Sequence, residues 1–240
     1  MSTATYPEPQ PHKDIEEIFP DVFIVRGSMS IHKWVCISRV MTILRHEDQL
    51  LLINPIRLNT EGEAQLLELG KITHVFRLGY FHGVDDAYYV EQFKAKFWCQ
   101  SSSNKYPNPS PDVLMDESTP MPFPDMSLFV FENAKHPEAA ILYQHHGGLL
   151  ITCDSVQHYD NWDGCSIFAK IIMKLAGFRK STLIGPMWLK GMTPEDGSLE
   201  EDFDRLLHLE FKHLISAHGD VCREKAHYNL EDAFDRIYSG

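Results

Sequence analysis

Two β-sheets packed face to face with helices outside them, an α/β fold, is what this sequence predicts. Two observations carry the expectation. Short apolar runs of strand character occur as adjacent hairpin pairs and also singly, each preceded by a helix, a mixture that two stacked sheets accommodate. The 240 residues hold no internal repeat and no long linker, so residues 14–240 read as a single domain. Residues 1–13 are polar and proline-rich and are expected to be disordered.

Residues 21–25, 34–44 and 49–53 read as three strands. His46-Glu47-Asp48 makes a hairpin turn between the second and third, and Asn54-Pro55 stops the third. Residues 60–70 read as a helix: Thr60 and Glu63 have capping-box spacing, Leu66, Leu67 and Leu69 supply an apolar face, and Gly70 suits the C-terminal position. A short buried strand follows at 72–76, then a short helix at 88–93. Residues 101–124 hold most of the mid-chain prolines and are expected to form a loop overhanging a site. Strands follow at 126–131, 139–143 and 149–152, the last two joined by a turn at His145-His146-Gly147-Gly148. Residues 163–177 read as a helix with Ile167, Ile171, Ile172 and Leu175 on one side. Residues 198–211 read as another, with a Ser198/Glu201 capping box and a buried stripe of Phe203, Leu206 and Leu207. A strand at 213–217 and a helix at 229–238 close the chain.

The net charge of −12 argues against a nucleic-acid backbone or an anionic membrane as main partner without identifying one; a small-molecule substrate is expected. Five scattered Cys, with no Cys-x-x-Cys pair, suggest free thiols in a reducing compartment. With no basic-then-apolar leader and no apolar run of membrane-spanning length, a cytoplasmic location is expected.

Candidate chemistry collects where strands end. Residues 72–76 lead into His82, Asp85 and Asp86; 149–152 lead to Asp154; 213–217 lead to His218; His136 stands just before 139–143. A strand end is rigid and the loop beyond it can aim a side chain, and neutral imidazole with carboxylate is a donor mixture that suits Zn or Fe. Each residue also has an ordinary role, as a turn cap, a surface His or a loop residue; four such coincidences together favour a site. His158, four residues after Asp154, would share its face on a helical turn and could substitute for a missing ligand. His145 and His146 read as solvated turn residues, and Cys153 as a small buried side chain. Tyr88, Tyr89, Tyr159 and Trp162 flank these positions, as pocket walls or as packing.

At these residues the sequence resembles the metallo-β-lactamase superfamily, over residues 15–237. Ile-Phe-Pro-Asp-Val-Phe-Ile-Val-Arg-Gly, Gln-Leu-Leu-Leu-Ile-Asn-Pro and Leu-Leu-Glu-Leu-Gly-Lys-Ile-Thr-His-Val-Phe match its opening in kind. The family's His-x-His-x-Asp-His falls on His82-Gly83-Val84-Asp85-Asp86-Ala87, which keeps the first His and the Asp but has Val84 and Ala87 at the other two His positions. The family's loop His and its later Asp fall on His136 and Asp154, and its final His-Gly on His218-Gly219. Asn54 stands where Asp is usual. The resemblance implies a four-layer αβ/βα sandwich with the site at one sheet edge. It implies a metal-dependent hydrolase, its nucleophile a water activated at the metal, with His82, Asp86, His136, Asp154 and His218 as the reduced ligand set. Asp86, Asp154 and His218 would hold the better of one or two divalent ions, Zn or Fe. Asp85, and Asp86 with it, would serve catalysis, Asp85 as general base or as a carboxylate orienting a ligand His. Two alternatives stand beside the hydrolase: an iron-dependent redox enzyme at the same residues, and a non-catalytic descendant that keeps the fold with a degenerate site.

Overall fold

Side chains alternate between the two faces of each strand, and in this chain both faces of the central strands are apolar, so each sheet must be covered twice. The computed structural model describes residues 6–101 and 105–239. In chain order the elements are β1 (Glu16–Phe19), β2 (Val22–His32), β3 (Val35–His46), β4 (Gln49–Ile53), α1 (Thr60–Leu69), β5 (Lys71–Phe76), α2 (Asp86–Phe93), β6 (Lys96–Cys99), β7 (Val113–Leu114), β8 (Met126–Val130), β9 (Ala139–Tyr143), β10 (Leu149–Ile151), β11 (Val156–His158), α3 (Ile167–Leu175), β12 (Thr182–Ile184), α4 (Pro186–Met192), α5 (Glu200–Leu207), β13 (His213–Ile215) and α6 (Ala226–Tyr238). One sheet runs β1 to β7 in sequence order, antiparallel as far as β4 and parallel from β4 to β7. The second has the order β13-β10-β9-β8, with β10 and β13 parallel; β11 and β12 form a separate antiparallel pair.

Ile24, Leu51, Ile53 and Phe76 of the first sheet meet Ile141, Ile151 and Ile215 of the second in a dry layer between them. Their strand neighbours Phe23, Val25, Leu50, Leu52 and Val75 point the other way, onto Leu66 of α1 and Tyr89 of α2. On the far side of the second sheet, Leu142, Leu150 and Leu214 pack against Trp188 of α4, Phe203 and Leu206 of α5 and Leu230 of α6. The result is the four-layer αβ/βα sandwich. Each fully buried Leu, Ile or Phe contributes roughly 1.5–3 kcal/mol, so the three apolar layers carry the fold.

Local chemistry moved several boundaries. The cap of α1 is Asn59, whose side chain accepts from the Gly62 N–H at 2.8 Å, and not Thr60. Gly70 turns the chain into β5 at φ 156°, where a Cβ would stand 2.5 Å from the Asp48 carbonyl oxygen. The β2–β3 hairpin extends well past the core, with its turn at Lys33-Trp34. Residues 6–13 are placed, and 11–13 lie along β2: Lys13 N–H donates to Arg26 O at 2.8 Å and Ser28 N–H to Pro11 O at 2.9 Å. Of the segment expected to be disordered, residues 11–13 thus pair with backbone groups of β2; residues 1–5 lie outside the described residues. α3 begins at Ile167, capped by Ser166, whose side chain accepts from Ala169 N–H, and it buries Ala169 and Met173. The side bearing Ile167, Ile171, Ile172 and Leu175 faces outwards. All five cysteines are free thiols. Among the described residues no helix is long and apolar enough to cross a membrane.

Candidate metal centre

Three of the loops that leave parallel strands converge at one end of the sandwich. His82 lies between β5 and α2, its backbone N–H bonded to Gly79 O at 3.2 Å. Asp154 follows β10; its N–H and that of Ser155 donate to Glu138 Oε1 at 3.0 and 3.1 Å. His218 follows β13, and its Nδ1 lies 2.6 Å from the Ser38 carbonyl oxygen. A carbonyl only accepts, so Nδ1 carries a proton, and in the neutral ring Nε2 is the nitrogen left with a lone pair for a metal. That Nε2 is 3.0 Å from Asp154 Oδ1 and 3.2 Å from His82 Nε2; His82 Nε2 is 3.4 Å from Asp154 Oδ2.

These donors suit a cation. Donors held about 2.0–2.1 Å from a tetrahedral ion stand roughly 3.3 Å from one another, the spacing seen here. The group is nearly buried, with side chains 11–12% exposed. Burial pushes the His82 imidazole below its ordinary pKa and outweighs the attraction of Asp154, so the ring is neutral at neutral pH. Burial alone would raise the Asp154 carboxyl, but N–H groups and positive charge on the His82 and His218 rings that face it hold it well below the usual carboxylate range, a place that a metal ion would take. Neutral imidazoles and an ionised carboxylate are the forms that bind metal. Glu138, fully buried behind Asp154, has its carboxyl pushed well above the usual carboxylate range by burial and by the Asp154 charge. It positions the Asp154 loop through its two backbone bonds. Sequence reasoning missed it; the signal was an acidic residue at the mouth of an all-apolar strand.

The other expected site residues are held elsewhere. Asp85 is buried against Arg39, Oδ2 to Nη1 at 2.8 Å, and Arg39 also donates to Pro55 O. Asp86 is buried against Arg77, Oδ2 to Nε at 2.6 Å, and Arg77 also donates to Tyr106 O at 2.9 Å. Burial raises the Asp86 carboxyl and Arg77 partly offsets it. Each carboxylate is thus engaged by a guanidinium, and neither belongs to the group of close donors that His82, Asp154 and His218 form. His136 stacks on Tyr80, ring centroids 4.1 Å apart and nearly parallel, outside the group of close donors. His158 is in β11, not on a helical turn with Asp154, so the four-residue offset gives no shared face; it bonds Thr182 Oγ1 at 2.8 Å and Asp160 Oδ1 at 3.2 Å. Cys153 is buried, its thiol pushed well up by burial and by the neighbouring carboxyls. His145 and His146 sit in a short 3-10 turn.

A cavity of about 440 Å³ opens beside the three donors. Met29, Ile37, Phe81, Tyr159, Met173 and Trp188 supply its apolar wall. Lys105 and Tyr106, from the segment expected to overhang the site, also line it; residues 102–104 lie outside the described residues. Tyr89 of α2 is instead buried against the first sheet and Leu66 of α1, and Trp162 packs against the cluster that holds Tyr159.

No family model and no curated protein matches this chain. Solved structures do. The structure of VMB-1 at pH 5.5 is similar over 96% of this chain and 99% of its own, with 12% identity and a TM-score of 0.64. DIM-1 metallo-β-lactamase exposed to ceftazidime is similar over 96% and 100%, with 8% identity and a TM-score of 0.63. The metallo-β-lactamase FIM-1 from Pseudomonas aeruginosa, in its mono-zinc form, is similar over 96% and 98%, with 11% identity and a TM-score of 0.60. The chain has the metallo-β-lactamase fold, at identities that speak for the fold alone.

Proposed function

We propose that the protein is a metal-dependent hydrolase in which His82, Asp154 and His218 hold one divalent ion, and that its small-molecule substrate has an apolar body. The convergence of the three donor atoms, all within 4.8 Å of one another, carries the reading. An ion held there would lower the pKa of water to about 7 and polarise a scissile group. The Ser38 carbonyl keeps the His218 Nε2 lone pair aimed inwards, and Glu138 holds the backbone that presents Asp154. The apolar wall excludes bulk water and orients the substrate beside the donors. One ion rather than two is supported by the engagement of Asp85 and Asp86 with arginines. FIM-1, of the same fold, is described in a mono-zinc form, which supports zinc as the first ion to test. The five free thiols support a reducing, cytoplasmic setting.

The experiment is a hydrolysis screen of the zinc-loaded protein with chromogenic esters, lactones and phosphodiesters of increasing alkyl length. Turnover that rises with chain length and disappears in His218→Ala supports the reading. Turnover unchanged in His218→Ala, or none across the screen, contradicts it; oxygen-dependent turnover with iron alone would point to redox chemistry.

A further inference from the structure

The structure points to a second surface, independent of the metal reading: we propose that α3 and the β2–β3 hairpin tip dock the protein on an anionic lipid surface. Ile167, Phe168, Ile171, Ile172 and Leu175 of α3 are 46–84% exposed, though all are large and apolar. At 100° per residue they fall within one continuous stripe, while Ala169 and Met173 lie on the opposite, buried side. Trp34, 60% exposed at the hairpin tip, extends the stripe, its ring 6.5 Å from that of Phe168. The two pieces are bonded together, with Ser166 Oγ donating to Trp34 O and accepting from Cys36 N–H. Ile31, near the same hairpin tip, and Met187 are also exposed, and both line the cavity beside the three donors.

The surrounding charge selects the occupant. The chain as a whole carries −12. From Gly164 to Ser181 there is no acidic residue, but there are Lys170, Lys174, Arg179 and Lys180. Val22 to His46 is likewise free of acid and places Lys33 beside Trp34, 5.2 Å from its ring. Lys170 and Lys174 flank one edge of the apolar stripe. An exposed apolar stripe edged by cations, on an otherwise acidic molecule, matches an interfacial helix that buries apolar side chains at the acyl boundary and sets cations among anionic headgroups. The acidic remainder would be repelled, which fixes the orientation and brings the cavity mouth to the lipid.

The test is co-sedimentation of the full chain with phosphatidylcholine vesicles, with and without about 30% phosphatidylserine. Binding to the anionic vesicles is expected to exceed binding to the neutral ones by at least about tenfold and to fall in high salt. Lys170→Glu/Lys174→Glu should cost at least about tenfold, since each cation near such a surface is worth about fivefold. Phe168→Asp/Ile171→Asp should abolish binding. Thermal melts of both variants should match the wild type, because the side chains changed are solvent-facing. Equal binding to both vesicle types, no binding, or binding untouched by either variant overturns the proposal. So does a concentration-dependent dimer that Phe168→Asp disperses in the absence of vesicle binding, which would assign the face to a second copy of the chain.

Discussion

Replacing Arg77 by Met separates a structural role for Asp86 from a ligand role. Arg77 and Asp86 form a pair at 2.6 Å with side chains only 4% and 2% exposed. Removing one partner of such a pair leaves a buried group uncompensated and costs about 3–5 kcal/mol. Unfolding entropy is about 2.1 cal/mol/K per residue, so a 240-residue chain has roughly 0.5 kcal/mol/K. The melting temperature of Arg77→Met should therefore fall by about 6–10 °C at fixed metal concentration. Arg77→Met/Asp86→Leu should recover much of that loss, because exchanging both members of a buried pair for apolar groups is often close to neutral. Asp86→Asn should keep its metal. The assay is circular dichroism melting alongside metal content. An Arg77→Met protein that melts within about 2 °C of the wild type, or metal lost in Asp86→Asn, would refute the reasoning.

Asn54 donates from Nδ2 to Thr152 O at 3.1 Å and so ties the end of β4 to the end of β10. Asn54→Asp would turn a carboxylate towards that carbonyl and should cost about 2–3 kcal/mol, read as a lower denaturation midpoint; unchanged stability would count against the tie. On α3, Ile171→Gln should change stability by less than about 0.5 kcal/mol and Met173→Ala should cost about 2–5 kcal/mol. The reverse order in urea titrations would mean that the helix faces the other way. Because burial lowers the His82 pKa, protons compete with metal there only at lower pH than for an ordinary imidazole. Half of the bound metal should therefore be released below pH 6.5, the ordinary imidazole value; a release midpoint above it would contradict the assignment.

The layers were legible in the sequence because β4, β9 and β10 are short, densely apolar and bounded by clear turns. The short elements were not: β11, β12 and α4 are three to seven residues long, and their burial depends on α6 and the second sheet rather than on local periodicity. The side of α3 could not be read either, since a helix whose apolar stripe faces solvent has the same period as one facing a core. At the site, strand-end position located His82, Asp154 and His218. It also suggested Asp85, Asp86 and His136, because nothing local announces that Arg39, 46 positions from Asp85, will claim that carboxylate. The one close partner, Arg77, looked like an ordinary residue after a strand. Glu138 went unnoticed because its task is carried by backbone bonds to residues 16 and 17 positions away.

Metal content by elemental analysis, on untagged protein purified without chelator, tests the central claim most directly. About one ion per chain is expected for the wild type, none for Asp154→Ala, and an unchanged content for Asp86→Asn and His136→Ala. A wild-type protein that neither carries zinc, iron or manganese nor takes any up would contradict the claim, as would an Asp154→Ala protein that keeps its ion.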